Sequence, residues 1–318
     1  MSIKVSVCIP VYGVEKYIER CARSLFEQTM RDGIEFVFVN DCTPDKSIEI
    51  LEKVLSEYPY RKEQTKIIDH EQNGGLVSAR KTGLAHASGE YIIHCDSDDW
   101  VEPDMYEKMY NAAKENCADI CYCPYLLDDG KTFTKTADIA ICSSAQELLQ
   151  QILNSNLHWN VWAKLVKKEI AKSSGLYQPE HICFGEDLLL SGQMLACSER
   201  VVCCSEPLYH YFKANSDSYT KTFKRSSFDQ LAEAVGFLDK QFSGQYDLTV
   251  CKAEVLFKAV FYDLMTRMEF KKYSYNQRKK ILSSGTLSRC KKLILFCAFL
   301  NYPLSAFFCK ILRRLIGR

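Results

Sequence analysis

The sequence lacks the features of several protein classes. Its 318 residues carry a net charge of only +1, so it has no global basic field of the kind that nucleic-acid-binding proteins use. No second thiol pair stands at zinc-finger spacing from Cys121 and Cys123, which argues against a structural zinc site. The N-terminus enters an apolar strand pattern, Lys4–Ile9, without a signal-peptide pattern.

Cysteine, by contrast, is abundant, with 16 residues in the chain. Many of them lie inside apolar runs, where a thiol behaves as a small hydrophobic group; these are Cys8, Cys95, Cys197, Cys203 and Cys204. A hydrophobic content of 47% and a charged content of 25% are those of an ordinary globular protein. We therefore expect free thiols in a reducing, cytoplasmic setting.

The apolar stretch near the C-terminus, Leu293–Phe308, is too short to cross a bilayer comfortably, and Asn301-Tyr302-Pro303 interrupts it. Basic residues flank it on both sides: Lys291, Lys292, Lys310, Arg313, Arg314 and Arg318. This pattern predicts an interfacial anchor on the cytoplasmic face of the plasma membrane, hence a peripheral contact with the inner membrane. The alternative is an amphipathic helix pair that closes a core or a homodimer.

Strands and helices alternate over the first 125 residues. The predicted strands are Val5–Ile9, Ile34–Val39, Lys66–Ile68, Tyr91–Cys95 and Asp119–Tyr125, and the predicted helices are Glu15–Gln28, Ile48–Leu55, Leu76–Ala87 and Met105–Asn116. Alternation with continuously apolar strands predicts an α/β fold, a Rossmann-like, mostly parallel sheet with helices on both faces. Since such sheets bind ligands at the carboxyl ends of their strands, Pro10-Val11-Tyr12, Asn40-Asp41 and Asp96–Asp99 should converge on one edge.

The remainder of the chain divides into three parts. Residues 126–220 are mixed, with a polar hairpin at Asp128-Asp129-Gly130, a helix at Ala145–Asn154, a strand around Val161–Val166 and a helix from Asp187. From about Ser226 the pattern is helical through Leu282. We therefore predict one domain over 1–220 with halves 1–125 and 126–220, a C-terminal helical extension over 221–290, and a basic-apolar tail over 291–318.

The stretch Asp96-Ser97-Asp98-Asp99 directly follows the apolar run Tyr91–Cys95. Carboxylates at the end of a buried strand must pair, neutralise or bind a metal. An extended backbone points Asp96 and Asp98 to the same side. Such hard oxygen ligands suit Mg²⁺ or Mn²⁺, which also accept the oxygens of a substrate phosphate. The alternative is an Asx turn and a helix cap, because Asp99–Pro103 could start a helix.

Together with other motifs that occur along the chain in the family's order, this stretch resembles glycosyltransferase family 2. These are the inverting enzymes of the GT-A fold that build bacterial cell-surface polysaccharides. The motifs are Val7-Cys8-Ile9-Pro10-Val11-Tyr12, Val39-Asn40-Asp41-Cys42-Thr43-Pro44-Asp45, Asn73–Gly83, the acidic stretch with Pro103 after it, Asn160–Leu165, Phe184–Asp187 and Leu208–Phe212. The resemblance covers about residues 4–220. Cys42 and Lys81 depart from the family pattern, which commonly has an aspartate or glycine and an asparagine there.

The resemblance implies a donor nucleotide-sugar, an Mn²⁺ or Mg²⁺ ion and a saccharide or lipid-linked saccharide acceptor, in a hexosyl- or N-acetylhexosaminyltransferase. The implied nucleotide-binding residues are Pro10, Val11, Tyr12, Glu15, Asp41, Asn73, Gly74, Gly75, Arg80, Asp96 and Ser97. The implied metal ligands are Asp98 first, then Asp96 and His210, and the acceptor side is assigned to Trp162 and Lys164. Asp96 is expected at the ribose or sugar end of the donor, and Ser216, Ser218 and Lys221 could close over the diphosphate as a lid.

The donor-site residues have chemical reasons of their own. Asp41 can accept a hydrogen bond from a pyrimidine N3–H, which favours a uracil nucleotide, although thymine would also fit. It can instead form an Asx turn that caps the helix at Asp45. Gly74 and Gly75 let the backbone approach a ribose or phosphate closely, or form a plain loop before a helix. Arg80 could clamp a phosphate, hold Asp96 in place, or be an ordinary solvated side chain.

Phe184-Gly185-Glu186-Asp187 is the candidate for catalysis. In the family the general base stands here, matched by Asp187, with Glu186 as the alternative. Such a base would take the proton of an acceptor hydroxyl as it attacks the sugar C1, giving inversion in a single displacement. Acidic residues at a helix start can also be plain caps. Likewise, Trp162 could be a core residue, His210 a structural histidine and Asp99 only a cap.

Two other functions use similar chemistry. A sugar-phosphate nucleotidyltransferase would share the metal carboxylates, but it usually has a glycine- and arginine-rich N-terminal loop, whereas residues 10–20 hold only Gly13 and Arg20. An inactive nucleotide-sugar-binding scaffold at the membrane is the other alternative, and the intact Asp96, Asp98 and Asp187 argue against it.

Overall fold

The computed structural model describes residues 2–135, 144–154, 158–175, 178–215 and 224–266. The strands are β1 (Val5–Val11), β2 (Ile34–Asn40), β3 (Thr65–Asp69), β4 (Tyr91–His94), β5 (Trp100–Val101), β6 (Ile120–Tyr122), β7 (Tyr125–Asp128), β8 (Phe133–Lys135), β9 (Lys164–Lys167), β10 (Val201–Cys203) and β11 (Tyr209–Phe212). The helices are α1 (Ile18–Phe26), α2 (Ser47–Ser56), α3 (Gly75–His86), α4 (Met105–Glu115), α5 (Ala145–Leu153), α6 (Lys168–Gly175), α7 (Glu186–Ala196), α8 (Arg225–Phe242) and α9 (Thr249–Thr266).

Seven strands form a central sheet in the order β10-β6-β9-β4-β1-β2-β3. Its pairs are parallel except where β9 runs antiparallel between β4 and β6. The inner strands are mostly apolar on both sides because helices cover both faces. The run Ile34–Val39 is buried throughout, and its one charged residue, Glu35, accepts hydrogen bonds from the hydroxyls of Ser6 and Ser88. The α/β fold with a mostly parallel sheet is confirmed.

A second sheet of four strands, in the order β5-β11-β7-β8, packs beside α1 on one face of the first. The predicted strand Asp119–Tyr125 is therefore two strands, β6 in the central sheet and β7 in the second. Pro124 stands between them and has no N–H to continue a ladder, so the chain changes sheets there. The predicted hairpin at Asp128-Asp129-Gly130 is confirmed, since β7 and β8 pair antiparallel around it.

Two other predicted elements have different bounds. The strand expected around Val161–Val166 begins at Lys164, because Ala163 takes the left-handed backbone conformation at φ 56° and ends any extended run before it. The helical pattern from Ser226 is broken after Phe242 by Ser243 and Gly244, both at positive φ. The pattern resumes in α9 (Thr249–Thr266), and only its residues after 266 and the tail over 291–318 lie outside the described residues.

Helix α8 packs closely on α7. Two glycines allow this packing: Gly185, directly before α7, and Gly192 within α7. A Cβ at Gly185 would lie 2.9 Å from Cδ1 of Leu231, and a Cβ at Gly192 would lie 3.0 Å from Cδ2 of Leu238. The helical extension therefore contacts the start of the helix that carries Asp187. Within the described part of the chain, no helix is both long and apolar enough to span a bilayer.

Candidate functional site

Polar side chains gather where β1, β2, β3 and β4 end, as the strand order requires. Tyr12 follows β1 and is 52% exposed, which leaves its ring available to a ligand. Pro10 is partly buried, whereas the Val11 side chain is fully buried in the core, so Val11 can meet a nucleotide only through its backbone.

Asp41, a predicted nucleotide-binding residue, holds the start of α3. Its Oδ1 accepts from the N–H of Gly74 and its Oδ2 from the N–H of Gly75, both at 2.8 Å. The sequence left open whether Asp41 forms an Asx turn that caps the helix at Asp45. Asp41 does not form this turn, because the side chain of Asp45 itself accepts from Ser47 at the start of α2. A hydrogen bond from Asp41 to a base stays a prediction, for which Oδ2 keeps one acceptor position.

His70 is a site residue that the sequence interpretation missed. Its Nδ1 lies 2.8 Å from Oδ1 of Asp41 and its Nε2 lies 2.8 Å from Oγ1 of Thr82 on α3. His70 follows directly after β3, so the rule that ligands lie at strand carboxyl ends, applied to this strand as well, could have found it.

The other donor-side residues cross-link the loops. Asn73 donates to the backbone oxygen of Asp41 at 3.2 Å. Gly75 needs its positive φ of 82°, and a Cβ at Gly74 would lie 2.7 Å from Oγ of Ser78. Glu15 accepts from the N–H of Lys46 at 3.2 Å, and so ties the loop after β1 to the loop after β2. These glycines serve the turn into α3 itself.

Arg80 joins the acidic stretch to the catalytic candidates. Its side chain is 3% exposed; Nη2 donates to Oδ1 of Asp96 at 3.2 Å and Nη1 donates to Oδ1 of Asp187 at 2.5 Å. Oε1 of Glu186 lies 3.7 Å from Nη1. Of the three roles that the sequence allowed, the structure shows that Arg80 holds Asp96 in place. Its guanidinium is surrounded by carboxylates rather than left open for a phosphate.

Burial determines the charge states around this arginine. Burial raises the pKa of Asp96 to about 6, although Arg80 opposes the shift. Burial and the neighbouring Asp187 raise the pKa of Glu186 to about 8, so Glu186 holds its proton at neutral pH. A protonated carboxyl cannot accept the proton of an attacking hydroxyl, which makes Asp187 the better base of the pair.

Asp98 and Asp99 have separate surroundings. Oδ2 of Asp98 accepts from Nδ2 of Asn215 at 2.8 Å, and burial raises the Asp98 pKa. Asp99 is fully buried and accepts from the Tyr209 hydroxyl at 2.6 Å and from the N–H of Phe212 at 2.7 Å, so it fixes β11 to the acidic stretch. The helix-cap alternative for Asp99 is therefore wrong. Ser97, between them, is buried.

The carboxylates of Asp96 and Asp98 fit a metal ion that is shared with a substrate. Among the described residues, no group of three or more His, Cys, Asp or Glu side chains is placed to hold a metal by itself. Mg²⁺ and Mn²⁺ are commonly held by one or two carboxylates together with substrate phosphates. Asp98 and Asp96 offer that number, and a cation beside them would relieve the cost of burying their charge.

His210 faces away from the carboxylates of Asp96 and Asp98. Its Nε2 lies 2.6 Å from Oε1 of Glu102, and its ring stacks on Trp100 at a centroid distance of 3.3 Å. Alternation along β11 sends His210 to the side opposite Tyr209 and Tyr211, whose rings face Trp162. These contacts contradict the prediction that His210 is a metal ligand and support the structural alternative.

The two acceptor candidates are both buried. Trp162 is 6% exposed and stacks on Tyr209 and Tyr211 at 4.5 Å and 5.3 Å, as the core alternative predicts. Lys164 donates to the backbone oxygen of Asn160 at 2.5 Å. Burial lowers the pKa of Lys164 to about 8, a shift that the charge of Asp187 opposes. Lys164 thus lies within electrostatic reach of the base candidate. The predicted lid residues Ser216, Ser218 and Lys221 lie outside the described residues.

The sequence profile of the glycosyl transferase family 2 domain matches residues 6–173, more than half of the chain. The chain belongs to glycosyl transferase family 2. It is 34% identical over 232 residues to the uncharacterized glycosyltransferase EpsJ of Bacillus subtilis (strain 168), covering 71% of this chain and 65% of EpsJ. It is 32% identical over 235 residues to the putative glycosyltransferase EpsH of the same strain, with the same two coverages. The chain thus spans slightly less than two thirds of these relatives.

Solved structures share the fold. TarS of S. aureus in complex with UDP-GlcNAc superposes with a TM-score of 0.65 at 18% identity, covering 99% of this chain and 93% of that one. The mannosyltransferase PcManGT from Pyrobaculum calidifontis, in complex with GDP-Man and Mn²⁺, superposes with a TM-score of 0.56 at 15% identity, covering 100% and 88%. The GT-A architecture of this family is confirmed.

Proposed function

We propose that this protein is a metal-dependent inverting glycosyltransferase that moves a sugar from a UDP-sugar to a saccharide or lipid-linked saccharide in polysaccharide assembly. The observation that carries the proposal is the contact of one buried guanidinium, that of Arg80, with both Asp96 and Asp187. The contact would hold the proposed leaving-group site and the proposed proton acceptor at a fixed distance from each other, which a single displacement needs.

On the donor side, Tyr12, Asp41 and the loop at Asn73 and Gly74 would hold the nucleoside. A UDP-sugar is favoured because a carboxylate can accept from the N3–H of uracil but not from cytosine. The relative TarS was crystallised with UDP-GlcNAc, which agrees with this donor class.

At the diphosphate, Asp98 would hold Mn²⁺ or Mg²⁺, with Asp96 beside it. When bound, such an ion neutralises charge that develops on the leaving diphosphate. The structure of PcManGT is a complex with GDP-Man and Mn²⁺, which agrees with a metal-dependent donor site. Asp98 is held in place by Asn215, and Asp96 by Arg80.

On the acceptor side, Asp187 would take the hydroxyl proton. One of its oxygens accepts from Arg80, which orients the carboxylate, and the other oxygen is left for the acceptor. The proton moves from the acceptor hydroxyl to Asp187 while the oxygen attacks the sugar C1 from the face opposite the diphosphate, so the anomeric configuration inverts.

The test is a panel of nucleotide-sugars measured by thermal shift with Mn²⁺, followed by a nucleotide-release assay. A UDP-sugar that raises the melting temperature and releases UDP supports the proposal. Release of pyrophosphate from UTP and a sugar phosphate would instead identify a nucleotidyltransferase. Stabilisation without turnover in the presence of extracted cell-surface glycans would identify a binding scaffold.

For location, we propose the cytoplasmic face of the plasma membrane, with peripheral contact through the tail over 291–318. A flotation assay with vesicles of phosphatidylglycerol and phosphatidylethanolamine, on the full chain and on a chain ending at residue 290, tests this. Equal flotation of both would reject the tail as an anchor, and size-exclusion chromatography of the same pair tests the homodimer alternative.

A further inference from the structure

Two thiols from segments 83 residues apart meet at one side of the central sheet. Sγ of Cys121, on β6, lies 3.6 Å from Sγ of Cys204, which directly follows β10. We propose that Cys121 and Cys204 form a reversible redox pair, in which Cys204 is the attacking thiol and a disulfide bond to Cys121 is the product. This inference is independent of the proposed function, because neither cysteine belongs to the proposed donor or acceptor site.

The pairing of the two strands brings both thiols to the same face of the sheet. β6 and β10 are parallel, with Cys121 opposite Val202 and Tyr122 opposite Cys203. The pairing continues by one residue, because the N–H of Cys204 donates to the backbone oxygen of Tyr122 at 2.8 Å. Side chains alternate along a strand, so Cys204 shares a face with Val202 and therefore with Cys121. The contact between the two sulfurs thus follows from the register of the strands.

The two thiols differ in their access to solvent. Cys121 is fully buried, whereas Cys204 is partly exposed and is followed by the exposed residues Ser205 and Glu206. A dissolved reagent therefore reaches Cys204 before Cys121. β10 is also the last strand in the order of the central sheet in the described part of the chain. A disulfide needs its sulfurs about 2.05 Å apart, and a strand that is paired on one side, followed by an exposed loop, can shift by the remaining distance.

The two thiols also differ in how readily they ionise. The hydrogen bond between them lowers the pKa of Cys204, although burial opposes this shift. The same hydrogen bond raises the pKa of Cys121, and burial raises it further. Cys121 therefore keeps its proton and donates it to the sulfur of Cys204. Because the thiolate is the nucleophile in thiol–disulfide exchange, both exposure and ionisation make Cys204 the thiol that reacts first.

The oxidant of the reaction is a low-molecular-weight disulfide such as glutathione disulfide. The Cys204 thiolate attacks one sulfur of this reagent, so that a mixed disulfide forms, and the first leaving thiolate takes a proton from water. Sγ of Cys121 then attacks Sγ of Cys204, and its proton passes to the second leaving thiolate. The two protein thiols lose two electrons in total, and one reagent disulfide is reduced to two thiols. Disulfides of proteins in reducing compartments are usually transient, as this exchange allows.

Two neighbouring cysteines provide the competitor and the control for this pair. Cys123 directly follows β6 and would come next in the register, opposite Cys204, but it is only 2% exposed and burial raises its pKa. Cys117 is exposed and forms no hydrogen bond to another thiol within the described residues. We therefore expect Cys123 to stay reduced. Cys117 should at most carry a mixed disulfide with the reagent.

The test incubates the reduced, folded full chain with glutathione disulfide, quenches it with acid, and unfolds it in guanidinium with N-ethylmaleimide to block every thiol left free. Digestion with trypsin and chymotrypsin separates Cys121 from Cys123 at Tyr122, and tandem mass spectrometry locates the bonds. We expect a bond between Cys121 and Cys204 in the parent, and its loss after incubation with excess reduced glutathione. Cys121→Ala should stop at the mixed disulfide on Cys204, and Cys204→Ser should leave Cys121 reduced. Cys117→Ser, the matched control, should form the bond as the parent does.

The result for the parent chain decides the inference even if a variant does not fold. Recovery of both Cys121 and Cys204 as N-ethylmaleimide adducts after oxidation would overturn it, as would a bond from Cys204 to Cys123 in place of Cys121. A bond that persists in excess reduced glutathione would refute the reversibility of the pair. A mixed disulfide on Cys121 in the Cys204→Ser variant, formed as fast as the one on Cys204 in Cys121→Ala, would refute the assignment of Cys204 as the attacking thiol.

Discussion

Nη1 of Arg80 and Oδ1 of Asp187 lie 2.5 Å apart, although 107 residues separate them in the sequence. The contact joins α3 to the first turn of α7. Because Arg80 is almost completely buried and also contacts Asp96, it fixes the distance between the ends of the proposed reaction path. The arginine acts by positioning these carboxylates.

Arg80→Lys is expected to lower kcat by about 100-fold or more while UDP affinity changes little. A lysine keeps the charge but cannot donate to Asp96 and Asp187 in the planar geometry of a guanidinium. Arg80→Met should in addition destabilise the fold by about 3 to 5 kcal/mol, since it leaves buried carboxylates without a counter-charge. Steady-state kinetics and urea unfolding measure the two effects; a lysine variant with the kcat of the parent would contradict the positioning role.

Asp187→Asn should lower kcat by roughly 10²- to 10⁴-fold, the usual contribution of a general base. Glu186→Gln should lower kcat less than tenfold, because the neutral Gln resembles the protonated Glu186 of the native site. Glycosyl transfer and UDP binding are measured for both variants. If Glu186→Gln is the more damaging, the assignment of the base is reversed.

Stability should depend on pH through Glu186. Its pKa is raised from 4.5 to about 8 in the folded protein, so between these values the unfolded chain has released a proton that the folded chain still holds. The folded state therefore loses stability as pH rises from about 4.5 to about 8, by an amount on the order of 4 kcal/mol. Glu186→Gln should remove this slope, so its melting temperature should exceed that of the parent at pH 8 and approach it at pH 5. Parallel melting curves of the two proteins across that range would contradict the prediction.

Gly185→Ala should destabilise the protein by roughly 1 to 3 kcal/mol and reduce activity. Gly185 has φ 96°, and an added Cβ would lie 2.9 Å from Cδ1 and 3.2 Å from Cα of Leu231 on α8. Gly236→Ala is the matched control: it lies within α8, an added Cβ meets nothing within 4 Å, and helix propensity favours alanine by up to about 1 kcal/mol. Thermal unfolding of both variants should move in opposite directions. A shift of the same sign in both would show that contact with α8 does not constrain the start of α7.

The sheet and the edge where its site residues gather could be predicted from the sequence. The order of apolar strands and helices predicted the parallel sheet, and the carboxyl-end rule predicted that Tyr12, Asp41 and Asp96 share an edge; the structure confirms both. The rule works because parallel strands of one sheet must all end on the same side. Applied to β3 it would also have found His70, which contacts Asp41.

Contacts between distant segments could not be predicted from the sequence. Which carboxylate of Glu186 and Asp187 meets Arg80, and which one keeps its proton, depends on the direction in which α7 starts and on how deeply each side chain is buried. His210 illustrates the same limit, because its strand was predicted but the face it presents was set by the stacking of Tyr209 and Tyr211 on Trp162.

The sequence by itself therefore determined the elements and the edge of the sheet where ligands bind, because apolar periodicity and strand ends are local properties of the chain. The tertiary structure alone decided the partners of Arg80 and the burial that sets the charge states of Asp96 and Glu186. Those features depend on side chains from separate segments sharing one buried volume, and no local pattern in the chain encodes such distances.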